Sequence, residues 1–594
     1  MARLAWESST QALFPEPLTL HFAPPQTHCP QCRQPLKVCK TRGKSVATLH
    51  LGRFAARETL LHCENCKIPK VYGSPDLASL VSTGCTFGYD VLVRVGQALF
   101  LRRRSVAETI EELFVANLRI SPSEVEYLGK KFVVYLALAH QESVGRLRAI
   151  MRAKGGYILH LDGTCDQRGP VVLGNVKLPS EKTEEIIPFL RQIKQRFGTP
   201  LAAVHDMGRG ILRAIQTVFA HIPDFICHFH FLRDLGADLF GDEYDRVRQA
   251  LRRHGIGAKL RYHARRLKAL IDQQPQWIDA FDQSFQTGVP PSAPQAIPLL
   301  SAYSLIQWVL QARQPCQGYG FPFDHPHVTF ARRLRAFHSQ IQSLVTPLPL
   351  GRLGDKLQAL CDDPELTQAL EQIEPKMKVF DQLRDAMRIA PADQPEGLNS
   401  GSADLPMGPI EKAVRQFRRQ TTTEPGYATH EAHRKMIAQI DAYWKKLFAD
   451  PITAQTPNGS VSIQPQRTNN LMERFFRDFR RGARRRSGNN SISRTLQAMI
   501  ADTPLVKNLE NPQYMEALLN GQPTLEARFA QIDVAVVRRE LIESQRHLEK
   551  VPPQIRKLII AAQFQDRIST LLQKCDKPMQ PGLGRNTSQS VDLA

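Results

Sequence analysis

Two stretches of this chain each deliver a carboxylate at the end of a short apolar run. Residues 157–161 read YILHL and lead into Asp162, Gly163 and Thr164; residues 201–205 read LAAVH and lead into Asp206, Met207 and Gly208. An aspartate ahead of a glycine-containing turn often does no more than hydrogen-bond its own backbone. A third stretch, far downstream, gives the pair a chemical context. Residues 467–488 read RTNNLMERFFRDFRRGARRRSG, in which Thr468 can cap a helix and Asn469, Asn470 and Glu473 then fall near one face. Glu473 stands ahead of seven arginines between Arg474 and Arg486, broken by one further acid, Asp478. Two strand-end carboxylates joined by a third make an oxygen-rich pocket suited to hard divalent cations such as Mg²⁺. An arginine-rich helix beside them suits phosphate. The plain alternative is a solvated helix on which Glu473 pairs with Arg477, one turn on.

A second constellation is built from sulfur. Cys29 and Cys32 lie in HCPQC, and Cys63 and Cys66 in HCENC, with β-prone sequence (ATLHLGRFA, ETLLHC) between them. Two such C-x-x-C knuckles read as a zinc ribbon: each pair grips one Zn²⁺ from a tight turn, and four thiolates close a structural site without an open position. Such a site folds a small module that cannot bury a core alone, and the module offers a surface to DNA. Cys39, His28 and His62 are spare candidates, and Cys85 reads as a buried residue. Eleven cysteines, an odd number in a long chain, argue against a disulfide framework.

HLDGT, VHDMG, the C-x-x-H of ICHFH and the TNNLMERFFR…RRRSG stretch together resemble a bacterial insertion-sequence transposase of the DDE class. The nearest likeness is to those that share a large helical insertion and a C-x-x-H motif with the Mutator and hAT groups. The resemblance implies a ribonuclease-H-like fold, phosphoryl transfer on DNA with two Mg²⁺ or Mn²⁺ ions, and a triad of Asp162, Asp206 and Glu473. Cys227 and His230 match the C-x-x-H positions, where a hydrogen-bonding role near the site is implied, and Asn470 supports Glu473. One departure concerns the sheet. The family's fold places three antiparallel strands before the first helix, and the short interval between Asp162 and the next helical stretch leaves little room for the second and third.

The elements that must position these residues follow from periodicity. Around the two aspartates the order is strand (YILHL), strand (VVLGNVKL), helix (EEIIPFLRQIKQRF), strand (LAAVH), helix (GILRAIQTVF), strand (FICHF), which describes a mixed α/β sheet. Upstream, residues 88–139 read as helices with two capping boxes, Ser105 with Glu108 and Ser121 with Glu124, and Pro122 at a first helical position. Short capped helices next to Arg102, Arg103 and Arg104 suit a helix-turn-helix; a plain helical hairpin is the alternative. Lys130 and Lys131 join Arg477, Arg480, Arg481, Arg484, Arg485 and Arg486 as DNA-binding candidates. The interval from Asp206 to Glu473 is far longer than a loop needs, so a helical domain is inserted there, broken by Pro-rich residues 288–298 and 391–409. Trp308 within it reads as a core residue rather than a base-stacking one.

The chain has 594 residues and a net charge of +21, with a pI near 9.6, which favours a polyanionic partner. No apolar run reaches the length of a membrane span, and the N-terminus lacks the apolar core of a signal peptide, so a cytoplasmic, nucleoid-associated protein is expected. The expected fold is multidomain α+β: a zinc ribbon (1–75), helix-turn-helix-like DNA-binding helices (76–150), a ribonuclease-H-like core in two parts (151–236 and 459–510), an all-α insertion (237–458) and a helical C-terminal tail (511–594). The expected function is a DNA transposase acting on double-stranded element ends and target DNA, as a homodimer or higher oligomer. A catalytically silent domesticated transposase serving as a DNA-binding regulator, or a nuclease that only hydrolyses, are the other readings.

Overall fold

A computed structural model describes residues 18–66, 71–161, 171–176, 178, 180–288, 296–313, 320–342, 350, 352–389, 407–448, 450–465, 482, 484 and 500–546. Within them the chain is a mixed α+β protein with three small sheets among many helices. Asp162, Asn470, Glu473, Arg477, Arg480, Arg481, Arg485 and Arg486 lie outside the described residues.

The first sheet is built on a long antiparallel hairpin, β2 (Lys37–Thr48) with β3 (Gly52–His62). The reversal uses Gly52 at φ +66°, a left-handed conformation that glycine adopts without penalty. Strand β1 (Thr19–Phe22) runs parallel to β3, and β4 (Val71–Tyr72) pairs antiparallel with its far end. The core beneath is small: Val46, Phe54, Ala56, Leu77 and Val81, the last two contributed by helix α1 (Pro75–Leu80) and its C-terminal cap.

Next come α2 (Tyr89–Phe100), α3 (Val106–Val115), α4 (Pro122–Glu142) and α5 (Val144–Ala153). Both expected capping boxes are present. Ser105 and Ser121 each accept the backbone N–H of the residue three on, while Glu108 and Glu124 reach back to the cap N–H. Helices α2 and α4 cross at Gly96, where a side chain would run into the Phe132 ring. Helix α4 is buried on every side from Lys131 to His140, so that stretch is a core helix.

The second sheet has three parallel strands in the order β5 (Ile158–His160), β6 (Ala202–His205), β7 (Asp224–Ile226). The crossovers are α6 (Thr183–Phe197) and α7 (Arg209–Val218), as the sequence periodicity predicts. The expected strand at VVLGNVKL is not formed: its described residues, 171–176 and 178, are irregular. The reason is Asn508, whose amide accepts the Val172 N–H at 2.7 Å and donates to the Val172 carbonyl at 2.8 Å, taking both groups that a strand ladder would use.

The helical insertion runs through α8 (His228–His254), α9 (Ile256–Ile271), α10 (Gln276–Thr287), α11 (Ala296–Leu310), α12 (Pro326–Gln342), α13 (Leu353–Cys361), α14 (Pro364–Ala386), α15 (Met407–Thr423) and α16 (Glu431–Leu447). All but α10 share one core, in which Phe229 stacks on Phe323 at 4.7 Å and Phe240 meets Phe380 edge-on, while α10 packs through Trp277 and Phe281 against Ile271 and Leu300. The chain then returns as a hairpin, β8 (Ile452–Thr456) with β9 (Gly459–Ile463). After a 3₁₀ turn (Thr503–Glu510), the tail forms α17 (Pro512–Leu519), α18 (Leu525–Ala530) and α19 (Val534–Arg546). These elements pack into the same core as α2, α4, α6 and α7. Arg528 is fully buried there; its Nε donates to Leu518 O at 2.9 Å and its Nη2 to Glu142 Oε2 at 2.5 Å. His140 donates from Nε2 to Leu173 O, and its Nδ1 accepts the Tyr514 hydroxyl at 2.9 Å. Burial holds this imidazole at about 4, so it stays neutral.

Replacing Asn508, which is 1% exposed, leaves two buried backbone groups of Val172 without partners. Asn508→Ala should therefore lower the unfolding free energy by roughly 2–3 kcal/mol, measured by denaturant titration. An unchanged midpoint would show that water replaces the amide.

Candidate functional site

Asp206 leaves the C-terminal end of β6, the middle strand of the parallel sheet. Its Oδ1 accepts the Gly208 N–H at 3.1 Å, an Asx-type bond that fixes the carboxylate as α7 begins. Gly210, in the first turn of that helix, touches the Glu181 carbonyl so closely that a Cβ would stand 1.9 Å from it. The segment leading to α6 is thereby pinned beside the Asp206 turn. On the neighbouring strand, Leu161 donates its N–H to Val204 O at 2.9 Å. The chain entering Asp162 thus runs alongside the chain entering Asp206.

Behind Asp206 lies a partly buried polar chain absent from the sequence expectations. His205 is fully buried; its Nδ1 is 2.5 Å from the Asp206 carbonyl and its Nε2 is 3.6 Å from Asp224 Oδ2. Lys446, near the end of α16, reaches the same Asp224 oxygen at 2.5 Å. Burial pushes the Asp224 carboxyl up, but the nearby His205 ring and the hydrogen-bonded Lys446 ammonium outweigh it and bring the group down to about 2. His228 adds a second tie, with Nε2 donating to the Leu447 carbonyl at 2.6 Å. The last helix of the insertion is thus fastened to the strand beside Asp206. The signal for this was weak in sequence, since Asp224 and Lys446 are 222 residues apart.

Cys227 extends the sheet ladder, its N–H donating to His205 O at 2.8 Å, and caps α8. Both Cys227 and His230 are buried at the root of the insertion. Among the described residues they belong to no group of three potential metal ligands.

Such a group does form at the N-terminus. The ligand atoms of Cys29, Cys32, Cys63 and Cys66 all lie within 4.8 Å of one another, with Cys32 and Cys63 sulfurs 3.3 Å apart and Cys29 and Cys66 sulfurs 3.7 Å apart. The first knuckle closes through Cys29 N–H to Gln34 O and Arg33 N–H to Cys29 O, with Arg33 at φ +57°. The N–H groups of Cys32 and Gln31 draw the Cys29 thiol down to about 6. Contacts with Cys29, Cys63 and Cys32 push Cys66 up to about 12. Four sulfurs this close cannot all be thiolates without a cation among them, and the geometry can hold one metal ion.

The basic candidates divide. Arg484 is exposed, and Gly482 beside it is buried against the Arg103 stem, which brings this part of the arginine stretch back to the turn between α2 and α3. Arg102 and Arg104 both fold onto Glu112, at 3.0 and 3.1 Å. Lys130 is half-buried on α4. Lys131 is a correction: it is 5% exposed, with Nζ directed at Cys85, and is not presented to phosphate. Cys85, expected to be buried, is partly buried against the small core of the N-terminal sheet. Among the described residues no helix is long and apolar enough to cross a membrane. Compared with models of known families and with curated proteins, the chain matches none.

Because the Asp224 carboxyl lies below its ordinary 3.8 in the folded chain, its contribution to stability is complete above that value and is lost as the pH falls towards about 2. Asp224→Asn should flatten that acid loss, read from denaturation midpoints across the same range. A profile superposing on the wild type would detach Asp224 from the pair.

Proposed function

We propose that the chain is a metal-dependent DNA transposase of the DDE class, with a ribonuclease-H-like core, an N-terminal zinc ribbon and an all-α insertion. The observation that carries this reading is the parallel pairing of β5 with β6. The sequence offset that pairs Ile158 with Ala202 is also the offset between Asp162 and Asp206. Asp206 and the chain entering Asp162 therefore leave neighbouring strand ends at the carboxyl edge, where open α/β sheets bind their ligands. The hairpin β8–β9 supports the third position, since Ile463 packs against this sheet shortly before the segment that carries Glu473.

Asp162, Asp206 and Glu473 would hold two Mg²⁺ or Mn²⁺ ions, which supply an activated water and neutralise the leaving 3′ oxygen. Asp206 fits that use, being partly exposed and oriented by Gly208. The protein's own share is positioning. His205 and Asp224 hold the Asp206 backbone, Asn470 flanks Glu473, Cys227 and His230 anchor the insertion, and the arginines from Arg477 to Arg486 grip phosphates. Element ends and target, both double-stranded DNA, are the partners, in keeping with the charge of +21. The protein would act in the bacterial cytoplasm, at the nucleoid, as a homodimer or larger assembly. The four cysteines would hold one structural Zn²⁺, since they are all thiols, close together and mostly covered. The core under that sheet is too small to stand without a staple.

Two measurements test this. On a labelled duplex carrying the element's flanking ends, with Mg²⁺, the wild type should cleave and join strands. Asp206→Asn and Glu473→Gln should each lose both steps while retaining DNA binding. Cleavage without joining would indicate a nuclease, and binding without cleavage a regulator. Separately, the purified chain should carry about one equivalent of zinc, and Cys63→Ser should lose it together with the thermal stability of the N-terminal sheet. Zinc-free protein of unchanged stability would remove the ribbon.

A further inference from the structure

The Lys131–Cys85 contact is unusual for both residues. Lys131 lies on the all-round buried part of α4, and among the described residues the hydrogen-bond partner of its Nζ is a sulfur rather than a carboxylate. A buried ammonium without a counter-charge is costly. Its Nζ instead meets Cys85 Sγ at 2.7 Å, with the Tyr135 ring 5.8 Å away. That separation is at the short end even for an N–H···O bond, and sulfur is the larger atom. The two atoms are held closer than a hydrogen bond between them requires, at a spacing that a single bridging oxygen spans.

The surroundings keep the pair together. Cys85 sits in the turn from 82 to 87, where its N–H donates to Ser82 O at 3.0 Å. The same turn is gripped by Tyr135, whose hydroxyl donates to Ser82 Oγ, and by Arg538 of α19, whose Nη2 donates to Thr83 O at 2.6 Å. Cys85 itself is only partly buried, so the residue keeps some solvent access for a small oxidant, with the Lys131 amine beside it.

We propose that Cys85 and Lys131 form an oxidation site that closes into a covalent lysine–oxygen–cysteine bridge when the protein meets a peroxide. One peroxide converts the Cys85 thiol to a sulfenic acid and releases water; sulfur gives up two electrons and the peroxide O–O bond breaks. A second peroxide takes one hydrogen from the sulfenic O–H and one from the Lys131 amine as the N–O bond forms. Nitrogen gives up two electrons and two waters leave. The product, S–O–NH, ties the turn that follows the N-terminal sheet to the central helix α4. Thiol reductants reverse it by breaking the S–O bond. Sequestration by the amine protects the sulfur from the irreversible sulfinic step. This inference does not depend on the chain being a transposase.

The test is peptide mapping by mass spectrometry of the full-length, zinc-supplemented protein after hydrogen peroxide, with the exposed Cys39 as the internal gauge of oxidant dose. The expected product joins the Cys85 and Lys131 peptides, heavier than their sum by one oxygen and lighter by two hydrogens, and disappears on reduction. Lys131→Met should lose the linked peptide and carry Cys85 on to the sulfinic acid. Linkage of Cys85 to a different residue, sulfinic acid at Cys85 of the wild type without linkage, or an unreacted Cys85 once Cys39 is oxidised would each overturn the proposal. Because the decisive reading is on the wild type, it stands even where a variant folds poorly.

Discussion

A parallel sheet of three strands, none longer than four residues, is the constraint on which the rest of the structure depends. Parallel strands must be covered on both faces, and strands this short cannot hold themselves together. Alternate residues divide the work. Leu159 and Ala203 face the core made by α4, α6, α7 and the C-terminal helices, while Ile158, Ala202 and Val204 face the β8–β9 hairpin through Ala454 and Ile463. Gly155, at φ +87°, allows the turn into β5 to lie against Ala454, where a side chain would intrude. The coverings come from segments hundreds of residues away, so the sheet edge that presents Asp206 exists only when the whole chain has closed around it.

The helical insertion is bound into the same arrangement rather than hung from it. It leaves the sheet through Cys227 and His228 and returns through Lys446 and Leu447, and both ends are fastened to the strands beside Asp206. A half-buried carboxylate between an imidazole and an ammonium is stable only while both partners stay in place. Movement of α16 away from β7 would leave Asp224 without its ammonium partner. The N-terminal sheet obeys another rule. Its apolar core is a handful of side chains, and the four facing cysteines are what a metal would need to complete it.

Much of the local structure was legible. Both capping boxes formed because Ser105 with Glu108 and Ser121 with Glu124 satisfy helix-end donors through neighbours in sequence. The strands expected at YILHL and LAAVH formed over 158–160 and 202–205, and the two crossover helices followed from apolar periodicity. The strand expected at FICHF formed only over 224–226, before helix begins at His228. VVLGNVKL misled, because its composition is that of a strand while its backbone groups are taken by Asn508, remote in sequence. Lys131 misled for the same kind of reason. A lysine beside Lys130 on a capped helix looks like a surface cation until the helix is packed on every side.

The sequence by itself determined the helix starts, the paired cysteine knuckles, the turn after Asp206 and the basic balance, all of which depend on residues within a few positions or on totals. Only the tertiary structure decided that the C-terminal helices complete the central core, that Arg528 is buried against Glu142, and that His205, Asp224 and Lys446 form one chain behind Asp206. Those outcomes depend on desolvation. Which charged groups leave water together is fixed by the packing of distant segments and cannot be read from any one of them.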